Sequence, residues 1–174
     1  MRAAGYTAAE LKAAGFSAKE LKDAGFNTAD LRGAGFSAKD LREAGFSSKD
    51  LKDAGFTAGE LKDAGFSAGE MRNAGFSVQD LKDAGFSAAE LKTAGFSAKE
   101  LAEAGFSAKE LTVAGFTIGE LKDAGFSAND LRIAGFSEAA IKAAGFDSEN
   151  LSSTGDCSIQ NYKRLVGEEL VLLK

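Results

Sequence analysis

Apolar positions recur every ten residues from residue 4 to residue 153. Phe and Leu alternate at a spacing of five, and the residues between them are mostly Ala, Gly, Ser and charged side chains. Each of the fifteen decads reads, with small variations, Ala-Gly-Phe-Ser-Ala-x-Glu/Asp-Leu-Lys/Arg-x, without insertion or deletion. Because so short a unit cannot bury its own apolar face, the pattern predicts units stacked into a linear array.

Each decad carries a signal for the start of a helix. In the second unit Ser17 precedes Glu20 by three residues, which is the spacing of a capping box. Phe16 and Leu21 then occupy the two positions of a hydrophobic staple. The capping position is Ser or Thr in every unit except at Asn27 and Asp147, and both of these are also good caps.

The same decad carries a signal for the end of a helix. Gly25 stands where a left-handed residue is needed, and Phe26 follows it, as in a Schellman motif. The acidic residue lies in the predicted first turn and is lost only at Ala140 and Asn150, while Lys or Arg lies in the last turn. These signals predict one short helix per decad, from about residue 18 to residue 24 in this unit.

The predicted fold is therefore an all-α solenoid with one capped helix in each ten-residue repeat. We expect Phe and Leu to form the inner stripe, and Lys19, Lys22 and Asp23 to face water. The small Ala residues at the helix ends, such as Ala18 and Ala24, mark where neighbouring turns approach closely.

The spacing of five leaves an alternative fold. The half-unit Ala-Gly-Phe-Ser-Ala resembles the pentapeptide-repeat proteins, which form a right-handed quadrilateral β-helix. The other half of the decad would place lysines at the inward small position of that coil, where a charged side chain cannot be packed. These lysines are Lys19, Lys39, Lys49, Lys99 and Lys109.

Composition limits the chemistry that the chain can perform. The 21 basic and 26 acidic residues give a net charge of −5, which is not the basic surface of a nucleic-acid-binding protein. There is no His, and Cys157 is the only cysteine, so the sequence offers no Cys–His pair, metal-ligand cluster or phosphate-binding loop. We expect no catalytic, cofactor-binding or metal-binding residue and no enzymatic activity.

The two ends differ from the middle. Residues 1–153 form the predicted repeat domain, in which Tyr6 takes the place of the first Phe at a partly exposed end. Residues 154–174 are predicted to be a cap or a docking segment. Ser158 begins a stretch that carries Ile159, Tyr162, Leu165 and Val166 at helical spacing, and the apolar run 170–173 follows it.

No segment of the chain predicts export or a membrane span. Met1 runs directly into the first repeat, and no apolar run approaches 18 residues. A cytoplasmic location is the default expectation.

The unit Ala-Gly-Phe-Ser-Ala-x-Glu-Leu-Lys resembles the degenerate decapeptide repeats in the central region of DotG/IcmE proteins of type IVB secretion systems. The resemblance covers residues 4–153. It implies a spacer or scaffold role and assigns a function to no individual residue. Those proteins also contain a membrane segment and a further terminal domain, neither of which this sequence shows.

The uniformity of the units favours a non-enzymatic spacer, scaffold or filament-forming element that binds proteins, including other copies of itself. The alternative is a solenoid that recognises a surface, such as an ice-binding, glycan-binding or DNA-mimicking protein. The regular Ser and Thr positions suggest ice binding, but these hydroxyls are expected to be used as helix caps. One carboxylate per unit, offset by one Lys or Arg, is sparse for a DNA mimic.

Far-ultraviolet circular dichroism tests the predicted fold. We expect the spectrum of a predominantly helical protein, because capping box, staple and terminal Gly coincide within one decad. A single β-type minimum with little signal at about 222 nm would instead favour the pentapeptide coil, since the negative ellipticity of α-helices has a minimum near that wavelength.

Overall fold

The computed structural model describes residues 4–146, and this part of the chain folds into fourteen α-helices of six residues each. None of these residues lies in a strand, so the all-α solenoid is confirmed here and the β-helix alternative is wrong. The helices are α1 Ala8–Ala13, α2 Ala18–Asp23, α3 Thr28–Gly33, α4 Ala38–Glu43, α5 Ser48–Asp53, α6 Ala58–Asp63, α7 Ala68–Asn73, α8 Val78–Asp83, α9 Ala88–Thr93, α10 Ala98–Glu103, α11 Ala108–Val113, α12 Ile118–Asp123, α13 Ala128–Ile133 and α14 Glu138–Ala143.

The predicted capping boxes are present at the start of α1 to α13. At α9 the N–H of Glu90 donates to Ser87 Oγ at 3.3 Å, and the N–H of Ser87 donates to Glu90 Oε2 at 2.8 Å. Asn27 caps α3 in the same way, accepting from the N–H of Asp30. At α14 the acidic residue is replaced by Ala140, and only the half of the box made by Ser137 remains.

The predicted Schellman motif ends every helix. After α8 the N–H of Gly85 donates to the carbonyl of Lys82 at 2.8 Å, and the N–H of Phe86 donates to that of Leu81 at 3.0 Å. Gly85 has φ +83°, a left-handed conformation that a residue with a side chain rarely adopts. The helices end one residue earlier than predicted, because the Ala before each Gly is the C-cap, as at Ala24 with ψ 0°.

Packing follows the order of the repeats. Helices along the array contact the next helix and the next but one, as α4 contacts α5 and α6, so the chain coils and returns beside itself after two repeats. The Leu of every helix from Leu21 to Leu131, or Met71 in its place, has no exposed surface, and Phe residues surround this stripe from the loops. The first helical residue is also buried wherever it is Ala, as at Ala88, whereas Val78 and Ile118 are half-buried and Glu138 is exposed.

The chain ends only partly fall within the described residues. Tyr6 is 57% exposed at the first turn, as predicted. Asp147, Asn150, Cys157, the boundary at residue 153 and the predicted cap or docking segment at residues 154–174 lie outside the described part. None of the helices between residues 4 and 146 is long and apolar enough to cross a membrane.

Replacing Gly85 tests the left-handed turn. Gly85→Ala should lower the free energy of unfolding by about 1 kcal/mol or more, because a Cβ at this φ is strained. Gly69→Ala is the matched control, since Gly69 lies inside α7 and a Cβ there meets nothing closer than Ser67 Oγ at 3.9 Å. The control should stabilise the protein by about 0.5–1 kcal/mol, and equal effects in chemical denaturation would contradict the assignment.

Truncating Phe86 tests the inner stripe. Phe86 is buried, so Phe86→Ala should cost about 3–5 kcal/mol of unfolding free energy. An unchanged melting temperature would show that the Phe residues do not form the core.

Candidate binding surface

The basic residue at the ninth position of the repeat joins one turn of the solenoid to the next. Lys22 in α2 reaches the end of α4, where its ammonium donates to the carbonyls of Ala44 at 3.1 Å and Gly45 at 2.7 Å. The same nitrogen lies 4.5 Å from the centre of the Phe46 ring. These helix-end carbonyls have no partner within their own helix. One ammonium group therefore supplies their hydrogen bonds and also makes a cation–π contact with the Phe ring.

We call this arrangement the cation clamp: a Lys or Arg in one helix placed over the Phe that lies 24 residues later. Its members are the pairs Lys12–Phe36, Lys22–Phe46, Arg32–Phe56, Arg42–Phe66, Lys52–Phe76, Lys62–Phe86, Arg72–Phe96, Lys82–Phe106, Lys92–Phe116 and Lys122–Phe146.

The clamp corrects the expectation that Lys22 simply faces water. Lys22 is half-buried, with its aliphatic stem lying along the turn it reaches, whereas Lys19 and Asp23 are exposed as predicted. From the sequence alone, a basic residue at this position is explained by the helix dipole. A signal was present in the sequence, because this position is basic in every described repeat except at Ala102 and Thr112.

Open grooves run between helices that lie one turn apart. The groove between α9 and α11 has a volume of about 520 Å³, and the corresponding groove between α7 and α9 has about 480 Å³. Each is lined by a clamp cation, two Phe rings, a capping Ser and the acidic residue of the next turn. Equivalent grooves between α4 and α6 and between α6 and α8 contain Asp63 and Asp83, respectively, at the last helical position.

The carboxylates along these grooves are held by the capping boxes. The backbone N–H of Ser87, and then its hydroxyl, hold the pKa of Glu90 below its ordinary value. The Ser77 hydroxyl, followed by the Ser77 N–H, does the same for the pKa of Asp80. These groups are therefore ionised near neutral pH and already accept hydrogen bonds from their own repeat.

The predicted absence of a catalytic, cofactor-binding or metal-binding residue stays a prediction. Among residues 4–146 no three His, Cys, Asp or Glu side chains lie together in a group that could hold a metal ion. The features that the structure does bring together are the repeated grooves and the clamps beside them.

One part of this surface departs from the repeat. Val113 and Ile133 replace the usual acidic or small residue at the last position of α11 and α13, and they are 82% and 69% exposed. Ala102 and Thr112 replace the clamp cations that would otherwise lie over Phe126 and Phe136. All four substitutions fall between α10 and α13.

Removing one clamp should weaken the coupling between two turns. Lys82→Met keeps most of the aliphatic stem but removes the ammonium group, which donates to the carbonyls of Ala104 and Gly105 at 2.9 and 2.7 Å. We expect a loss of about 1 kcal/mol in unfolding free energy. Lys99→Met is the matched control at an exposed position, and a loss of equal size there would contradict the clamp.

The capping carboxylates predict sensitivity to acid. Because their pKa values are lowered in the folded state, their contribution to stability is present above the unfolded pKa and is lost as pH falls through the folded pKa. Unfolding free energy should be level above about pH 5 and should fall below about pH 4. Gln at these positions can still cap but cannot titrate, so replacing Glu90, Glu100, Glu110 and Glu120 by Gln should flatten the profile in urea titrations. An unchanged profile would show that these carboxyls are not its source.

Comparison with known proteins agrees with this repeating geometry. Searches of curated proteins and of solved structures found no match. A family model described as a decapeptide repeat region matches residues 1–68, 45–118 and 85–158, which together span most of the chain. The ten-residue unit found in both the sequence and the structure is the repeat of that family. The chain therefore belongs to the decapeptide repeat family.

Proposed function

We propose that this chain is a non-enzymatic structural protein, an extended spacer or scaffold that binds other proteins along its sides and at its ends. The observation that carries the proposal is the sameness of the units. Thirteen successive helices repeat one capping box, and ten clamps repeat one contact between turns. No repeat in the described part gathers a distinct set of polar side chains.

The contact pattern supports a spacer. Because the helices pack mainly on the next helix and the next but one, adding repeats lengthens the array and leaves the existing contacts unchanged. A protein built this way sets a distance by the number of its units. The resemblance of the unit to the central repeats of DotG/IcmE proteins supports the same role.

Two features support protein binding. The grooves between turns present Phe edges and charged rims at regular intervals, a surface suited to an extended partner. The ends of a solenoid expose faces that inner repeats bury, and a second copy can complement such a face. End-to-end association of copies would then produce filaments.

The alternative of a surface-recognition protein has less support. Its best argument was the row of Ser and Thr hydroxyls, but these groups are occupied in the capping boxes. Ser87 Oγ, for example, accepts from the N–H of Glu90 and donates to its carboxylate at 2.9 Å. A hydroxyl engaged in this way is a poor template for ice.

Small-angle X-ray scattering tests the spacer. Duplicating residues 44–63 adds two repeats in register, and the maximum dimension should grow by about 8–10 Å, the usual separation of packed helices. A second duplication should add the same amount. An unchanged dimension would contradict a linear array.

Light scattering tests self-association and the role of the C-terminal segment. The full chain and a version ending at Ser153 should differ in assembly state. Removing residues 154–174 would either take away a docking segment for another copy or expose the last repeat. If both are equally monomeric and equally stable at high concentration, end-to-end association should be rejected.

A further inference from the structure

The most unusual surface in the described part lies on α11 and α13. Val113 and Ile133 occupy the same position in two helices that pack against each other, one turn apart, and both side chains are mostly exposed. Tyr6 at the first turn is the other large apolar side chain with such exposure between residues 4 and 146. Two exposed β-branched residues in one row of the solenoid form a local apolar patch.

This patch continues into the grooves beside it. Val113 lines the groove between α9 and α11 together with Phe86 and Phe106. Twenty residues further on, the repeat places Phe106, Phe126 and Ile133 at the equivalent positions between α11 and α13. We call these five residues, Phe86, Phe106, Val113, Phe126 and Ile133, the apolar strip.

The apolar strip also contains a place for a cation. At ten equivalent Phe residues a Lys or Arg lies over the ring. This cation also donates to the carbonyl of the Gly just before the Phe, or to that of the Ala before the Gly. Phe126 lacks this partner because Ala102 stands at the clamp position, and nothing approaches the Cβ direction of Gly125 within 4 Å. The ring and the nearby carbonyls therefore have the geometry that binds a basic side chain in ten other repeats.

The size of the apolar strip selects a short segment as its occupant. A stable interface between globular proteins buries about 1,200–2,000 Å² in total, more than two exposed residues and one ring can supply. A peptide that combines apolar residues at helical spacing with a basic side chain matches the strip. Residues 158–174 have this composition: Ile159, Tyr162, Leu165 and Val166 surround the pair Lys163–Arg164.

The same chain can supply this segment. Residue 158 follows Phe146 by twelve residues, which span up to about 40 Å when extended. The apolar strip begins on α13, the helix just before the last one described, and continues through α11 to the turn before α9. Several turns of the solenoid are thus within reach, since packed helices lie about 8–10 Å apart.

We propose that residues 158–174 dock on the apolar strip of their own chain, with their apolar residues against Val113 and Ile133 and a cation from Lys163 or Arg164 over Phe126. The segment supplies the clamp that Ala102 cannot make. This docking lies on the side of the solenoid and differs from a cap on its last repeat. It does not depend on the scaffold role, because it concerns one chain alone.

Limited proteolysis of the full chain tests the proposal with substitutions that introduce residues found at the same positions of other repeats. The double variant Val113→Asp, Ile133→Asp places Asp at the last helical position, where other helices carry it, and Ala102→Lys restores the internal clamp on Phe126. Each change should release the segment and raise the initial rate of tryptic cleavage after Lys163 and Arg164 roughly tenfold, the effect of losing about 1.4 kcal/mol of docking free energy. Thermal melts should show that the solenoid itself stays folded.

Thr112→Lys is the matched control for Ala102→Lys. It restores the clamp on Phe136, which belongs to the alternate series of turns and does not line the apolar strip. This variant should leave the cleavage rate unchanged. Equal cleavage in all variants and the parent chain, or equal acceleration by Thr112→Lys, would overturn the proposal.

Methyl nuclear magnetic resonance locates the segment directly. The chain has four Ile and four Val residues, so the signals of Val113 and Ile133 can be assigned with little overlap. Nuclear Overhauser contacts from these methyls to residues 158–174 within one molecule are the expected result. Contacts confined to Ile141, or contacts seen only between differently labelled copies, would instead establish an end cap or a second copy as the partner and overturn docking in the same chain.

Discussion

The glycine that closes each helix is the constraint on which the solenoid depends. A left-handed residue after the C-cap, as at Gly85 with φ +83°, stops the helix after six residues and turns the chain back. The turn places Phe86 inward and Ser87 at the start of the next helix, so one backbone conformation sets both the core and the following cap. Six-residue helices are unstable alone, and the strict ten-residue period brings each one against its neighbours.

The cation clamp adds a contact between turns that the local motifs do not provide. Capping box and Schellman motif satisfy the backbone within one decad, whereas Lys22 satisfies carbonyls at the end of α4 and covers the Phe46 ring. The clamp is missing at Ala102, so the ring of Phe126 has no cation from residues 4–146 over it, and the same part of the array carries the exposed side chains of Val113 and Ile133. Function in a uniform array is therefore best sought where repeats depart from their own consensus.

Most of the fold could be predicted from one decad, because each local signal acts within ten residues. The spacing of Ser17, Glu20, Leu21 and Gly25 predicts the helix, its caps and its buried side, and all of these are confirmed. The contacts between turns could not be predicted with the same ease. The partner of Lys22 lies 22 to 24 residues away, and its distance along the chain depends on how many repeats make one turn. A helix dipole alone explains a basic residue at that position, so the sequence does not require a longer-range partner.

The central claim is that decads are stable only through their neighbours on adjacent turns. The most direct test is the denaturant midpoint of chains that differ by whole pairs of repeats, each pair copied from residues 44–63. We predict that the midpoint rises with every added pair and then levels off, as expected for an array coupled through neighbouring units. A midpoint independent of repeat number would show that each decad folds alone and would contradict the account.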